Sequence, residues 1–213
     1  MLPLFNRLRP FIITVFVFLF VSVVLIVLFP KAQLHLMLNS LCGRGFDRFF
    51  VYLTYLGDGV VVLVLAMLAG YSQAKSKIRF LFLGFSICLI AGLLAQFFKK
   101  VVFNGMPRPM GYFTEGALQL VDGVKIHSWN TFPSGHTTSI VTLMLFCAYL
   151  YGKKPWIQVL FAVFACGVAY SRVYLSQHFL EDVVGGSVLS ILVFFLFART
   201  LYTWFEFADV RWA

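Results

Sequence analysis

The stretch FIITVFVFLFVSVVLIVLF, residues 11–29, decides the solvent in which this chain folds. It carries no charge and is close to the ~20 apolar residues an α-helix needs to cross a bilayer core. Arg7 and Arg9 precede it, as in a secretory signal. The run is longer than the ~7–15 residues of a signal core, and Phe29-Pro30-Lys31 offers no small-residue cleavage site. A retained first span is therefore expected. Outward from it, apolar runs at 59–71, 80–98, 136–151, 156–170 and 183–201 predict five more spans. Residues 49–56 are too short to cross and are broken by Gly57-Asp58-Gly59, so they read as an interfacial or half-inserted segment. The expected fold is all-α, a polytopic membrane bundle of six transmembrane helices. It reads as one membrane-embedded domain over residues 1–213, with a motif-bearing core at about 57–201.

Composition agrees. Of 213 residues, 61% are hydrophobic and 12% charged, where soluble domains run near half and a quarter. The net charge of +9 forms no basic stripe on a soluble face. It reads as membrane topology and attraction to anionic lipid headgroups, with no nucleic-acid partner. Cys42, Cys88, Cys147 and Cys166 have neither metal-ligand nor disulfide spacing and read as small packing residues. Trp156, Trp204 and Trp212 read as interfacial anchors. Asp58 reads as a helix cap.

Six spans put both termini on one side. With a cytoplasmic N-terminus, the inside holds Arg7, Arg9, Lys75, Lys77, Arg79, Lys153, Lys154, Arg199 and Arg211. The outside holds Lys31, Arg44, Arg48, Lys99, Lys100, Arg108, Lys125 and Arg172. Setting aside Lys100, Arg108 and Arg172, which have another use below, the inner excess places both termini in the cytoplasm. Three polar strings then share the outer, periplasmic or extracellular, face of the cytoplasmic membrane. They are Lys100 with Arg108-Pro109, then Pro133-Ser134-Gly135-His136, then Ser171-Arg172 with His178 and Asp182.

These residue types suit phosphoryl transfer. His178 and Asp182, four apart, share a helix face, so the carboxylate can accept the imidazole N–H and aim the other nitrogen as a nucleophile. The pair can equally be a cap at the start of the sixth span. Glu181 points about 100° away. Ser134 reads as the N-cap of the fourth span, whose unpaired N–H groups, with Gly135 giving close backbone approach, form an anion site. His136 stands beside that site, placed to protonate a departing alkoxide. Arg108, held between two prolines, and Arg172 offer planar forks to phosphoryl oxygens. Each of these cations can otherwise be a snorkelling side chain, the reading preferred for Lys99. Thr137 and Thr138 read as packing residues, His35 and His127 as loop residues, and residues 111–130 as the loop that shapes headgroup choice.

The three strings resemble the signature of the type-2 phosphatidic acid phosphatase superfamily, which includes bacterial lipid phosphatases, glucose-6-phosphatase and vanadium-dependent haloperoxidases. The second and third strings match that pattern in full. The first departs by one residue, because seven rather than six separate Lys100 from Arg108; a bulge within 101–107 would absorb it, or another cation substitutes. The resemblance implies that His178 attacks phosphorus, oriented by Asp182, and that His136 protonates the leaving group and then serves as base for water. Lys100, Arg108, Arg172, Ser134 and the Gly135 amide would hold the phosphoryl oxygens. It implies no cofactor and no metal, and a lipid phosphate as substrate: undecaprenyl diphosphate, phosphatidic acid, phosphatidylglycerol phosphate or a lipid A phosphate. A phosphotransferase passing the group to a lipid or sugar hydroxyl is the alternative.

Overall fold

The computed structural model describes residues 2–43, 45–72 and 77–204, and the side chains of 4–43, 45–72 and 77–197. Arg44, Lys75, Arg211 and Trp212, and the side chains of Arg199 and Trp204, lie outside them. Among the described residues the protein is all-helical, with one isolated bridge pair, Pro107 with Trp129. The helices are α1 (Leu2–Arg7), α2 (Arg9–Leu28), α3 (Lys31–Asn39), α4 (Asp47–Tyr55), α5 (Gly59–Tyr71), α6 (Lys77–Phe97), α7 (Pro109–Tyr112), α8 (Gly135–Tyr151), α9 (Pro155–Tyr174) and α10 (Leu180–Trp204). A π-helical turn, Phe98–Val102, continues α6.

Four segments are long and apolar enough to cross a membrane: Arg9–Leu28, Lys77–Val102, Pro155–Tyr174 and Leu180–Phe197. The pair Asp47–Tyr55 and Gly59–Tyr71, bent by 62°, makes a fifth if taken as one span. The helix at 59–71 has 13 residues, about 20 Å at 1.5 Å per residue, so it reaches span length only together with α4. Helix α2 is apolar on every side, and among its residues only Phe11, Val15 and Ser22 are buried. Phe16, Phe20, Val27 and Leu28 point outward, as do Leu93 on α6 and Leu192 on α10. Apolar surface of that extent is stable in lipid, and this is an integral membrane protein.

Local chemistry sets the breaks. Asp58 caps α5, its Oδ1 accepting from Val60 N–H at 2.9 Å and Val61 N–H at 3.4 Å. Pro155 opens α9, where the missing N–H costs nothing. Helix α8 forms the centre and touches α5, α6, α9 and α10. Small residues let its neighbours close in. A Cβ on Gly186 of α10 would stand 2.7 Å from Ser134 O, and one on Gly185 would strike the Phe132 ring. Ser190 Oγ also donates to Thr138 O at 2.8 Å. Thus α10 lies tight against the start of α8, which brings the second and third strings together.

Candidate active site

The third string spans the end of α9, a short turn and the first residues of α10. Helix α9 runs to Tyr174, one turn past the expected end at residue 170, so Ser171 and Arg172 are helical. The Arg172 carbonyl then accepts from Gln177 N–H at 2.9 Å and His178 N–H at 3.1 Å. That folds the turn back and delivers His178 above α10. His178 Nδ1 lies 3.3 Å from Asp182 Oδ2. The same carboxylate oxygen accepts from Phe179 N–H at 2.9 Å and from Thr131 Oγ1–H. A carboxylate held by three donors is fixed in place, and a fixed carboxylate fixes the imidazole tautomer with Nε2 free.

The second string is joined to the third through the backbone, since Ser134 N–H donates to Asp182 O at 3.0 Å. Ser134, expected among the ligands of the phosphoryl oxygens, is placed otherwise. It is fully buried, its Oγ accepts from Thr137 N–H at 3.5 Å and Thr137 Oγ1–H at 2.9 Å, and it does not line the cavity. The extended backbone of an N-cap turns its hydroxyl into the first turn. Gly135 and His136 do face the cavity. His136 is braced from behind by Gly57, where an added Cβ would stand 3.2 Å from His136 Cβ and O.

The first string needs a correction. Lys100 is exposed and lies outside the cavity lining, whereas Lys99 is buried at 7% exposure and lines it. Lys99 is one helical turn beyond Gln96, on the α6 stripe of Cys88, Gly92 and Gln96 that faces the cavity. Lys100 is roughly 100° further round. Eight residues separate Lys99 from Arg108. The wide turn Phe98–Val102, and a loop reversing at Gly105 with φ +78°, take up the excess. A change of helical pitch has no compositional signature. Arg108 is fixed by Nε donating to Trp129 O at 3.0 Å and Nη1 to Gln177 O and Oε1 at 3.4 Å. Arg172 Nη1 donates to Thr54 Oγ1 at 2.5 Å. Its Nε–H is buried without an acceptor among the described residues, a donor suited to a phosphoryl oxygen.

Lys99, Arg108, Arg172, His136 and His178 thus line one cavity of about 760 Å³, walled by α4, α5, α6, α8 and α9 and by Lys125 and His127 of the loop before α8. Three cations crowd around two imidazoles, with Asp182 behind His178. Burial, and then the charges of Lys99, Arg108 and Arg172, hold the His178 pKa well below its ordinary value. The ring is therefore neutral near pH 7, as a nucleophile must be. Burial also lowers the pKa of Arg108, against the pull of Asp182. A buried cluster with this excess of positive charge suits a multivalent anion.

The sequence reading missed Thr131, Thr54, Gln177 and Gly57, because each matters through a partner remote in the chain. His127 is in a loop as expected, at the cavity mouth. His35 is not: it is 2% exposed within α3, because Phe113 and Phe179 cover it.

The family model described as PAP2 superfamily matches residues 79–206. A lipid A 4'-phosphatase of Porphyromonas gingivalis is 24% identical over 185 residues, covering 85% of this chain and 75% of its own. The undecaprenyl-diphosphatase BcrC of Bacillus subtilis is 27% identical over 153 residues, 72% of this chain and 74% of its own. The crystal structure of a transmembrane PAP2 type phosphatidylglycerolphosphate phosphatase from Bacillus subtilis aligns with a TM-score of 0.59 over 94% of this chain and 98% of that one. At 22% identity, that likeness speaks to the fold. The resemblance read from the three strings is borne out, and this chain belongs to the PAP2 superfamily.

Proposed function

We propose that this protein is an integral-membrane lipid phosphatase that cleaves a phosphate monoester or diphosphate headgroup through a phosphohistidine, without a metal. The observation that carries the reading is the convergence of both imidazoles and all three cations on one cavity. Lys99, Arg108, Arg172 and the Gly135 amide hold the non-bridging oxygens and take up their charge as the phosphoryl group moves. His178 Nε2 attacks phosphorus, a P–N bond forms, and the P–O bond to the lipid breaks. The departing oxygen takes a proton from His136. Water then attacks the phosphohistidine, giving a proton to His136. The P–N bond breaks, and inorganic phosphate leaves with His178 neutral again.

The substrate is a lipid whose tail stays in the bilayer. The names of the relatives point to lipid A phosphates and undecaprenyl diphosphate as the first to test. The chain is read as one domain in the cytoplasmic membrane, with α8 as a sixth crossing beside the five counted by length. The termini are cytoplasmic and the cavity opens to the periplasmic or extracellular side. Supporting this topology, the ends of α6 and α9 and the start of α8 all border the cavity. The test is phosphate release by the purified protein in detergent with EDTA present, on a panel of lipid monophosphates and diphosphates, with orthovanadate as inhibitor. Release that survives EDTA and is blocked by vanadate is expected. No release across the panel refutes the function, and loss on adding EDTA refutes the metal-free mechanism.

A further inference from the structure

Helix α3 lies outside the three strings and outside the family match, yet it reaches the back of the active site. His35 stacks on Phe113, centroids 5.6 Å apart, and meets the edge of Phe179 at 5.1 Å. Its Nε2 is 3.2 Å from Ser176 Oγ. Ser176 and Phe179 bracket His178. Ser176 has φ +50°, a left-handed conformation that a residue other than glycine holds only where its surroundings enforce it. The same helix grips twice more. Lys31 Nζ lies 3.9 Å from the Phe179 ring centroid. Asn39 and Gln119 exchange two hydrogen bonds, Nδ2 to Gln119 O and Gln119 N–H to Oδ1, both 2.8 Å. Helix α3 therefore clasps the turn that carries the nucleophile and the loop that carries Lys125 and His127.

We propose that His35 is a positioning residue: through Ser176 and Phe179 it fixes the turn that aims His178, and through Phe113 it couples that turn to the loop over the cavity. The assignment rests on the reading of His178 as nucleophile. Burial, against the pull of Asp182 and with the push of Lys31, lowers the His35 pKa to about 4. The ring is thus neutral across the working range, and its contribution is a fixed hydrogen bond and ring contacts.

The test uses two variants of the full chain in detergent. His35→Phe keeps an aromatic ring and removes the bond to Ser176. His35→Gln keeps a polar nitrogen near the place of Nε2. Kinetics are measured on dioleoyl phosphatidic acid and on undecaprenyl diphosphate. Amide exchange is followed in residues 175–180, where the N–H groups of Gln177 and His178 are held by the Arg172 carbonyl. In His35→Phe, kcat is expected to fall at least tenfold with KM within twofold, and exchange in the turn to rise at least tenfold. The acid limb of kcat/KM should move to higher pH as His178 draws away from Lys99, Arg108 and Arg172, with Asp182 and His136 still beside it. His35→Gln should recover most of each. Wild-type kcat in His35→Phe overturns the proposal. So do equal losses in both variants with the acid limb and the exchange unmoved, since that is what lost packing alone would give. A wild type that releases no phosphate from either lipid refutes the functional reading instead. The exchange data still decide the positioning role then: a turn as protected in His35→Phe as in wild type overturns it, and one loosened there but not in His35→Gln supports it.

Discussion

Replacing Lys99 and Lys100 separately by alanine gives the sharpest contrast the structure offers. The two are neighbours in sequence with the same charge, and a spacing rule prefers Lys100. Lys99 is 7% exposed in the cavity with Arg108 and Arg172, while Lys100 is exposed outside it. A charged hydrogen bond to a phosphoryl oxygen contributes about 1.5–3 kcal/mol in a partly buried site. At about 1.4 kcal/mol per factor of ten, Lys99→Ala should lower kcat/KM by roughly 10- to 150-fold. Vanadate affinity should weaken by a comparable factor, because vanadate presents similar oxygens. Lys100→Ala sits among surface changes worth about ±0.5 kcal/mol and should stay within about threefold of wild type. The assay is initial-rate phosphate release in detergent at matched folded protein, with vanadate inhibition measured in parallel. A large loss in Lys100→Ala with near-wild-type Lys99→Ala would make Lys100 the phosphate-binding cation and remove the role given to the π-helical turn.

Three further outcomes follow from single contacts. Because burial and three cations disfavour the charged form of His178, its neutral, reactive form should persist below the ordinary histidine range; the acid limb of kcat/KM, corrected for the substrate's own titration, should lie below pH ~6.5. Arg108→Gln removes one of the opposing charges and should move that limb to higher pH, so a wild-type limb above 7 or an unmoved limb in the variant contradicts the electrostatic account. Gly57→Ala should push His136 by a few tenths of an ångström, from a Cβ that would stand 3.0 Å from Val168 Cγ1 and 3.2 Å from His136 O, and lower kcat about tenfold with little change in KM. Thr131→Val removes the hydroxyl that donates to Asp182 and should lower kcat by about 5- to 150-fold, from the ~1–3 kcal/mol cost of leaving a buried acceptor short of a donor; a wild-type rate would show that Phe179 N–H suffices to hold the carboxylate.

The parts of this molecule that could be read from sequence are those set by local pattern. The His178 and Asp182 pairing follows from their four-residue spacing. The caps at Asp58 and Ser134 follow from a polar oxygen just before an apolar run, and the long helices from uninterrupted apolar length. What escaped depends on pitch or on distant partners. Spacing alone favours Lys100 over Lys99, and only the wide turn at the end of α6 reverses that order. Ser171 and Arg172 read as the end of a span closing at residue 170, although both are helical and buried. Ser134 reads as both cap and phosphate ligand, but its one hydroxyl is turned into the helix and does not line the cavity. His35 reads as a loop residue because Phe113 and Phe179, which enclose it, lie far along the chain.

Every step proposed for the reaction depends on His178 carrying the phosphoryl group. Incubating the protein with lipid labelled in the scissile phosphate, in EDTA, and quenching within one turnover into alkali, where a phosphohistidine survives, tests it directly. One labelled peptide containing residue 178 is expected, absent from His178→Ala. Label on His136, or turnover with no labelled histidine, would contradict it.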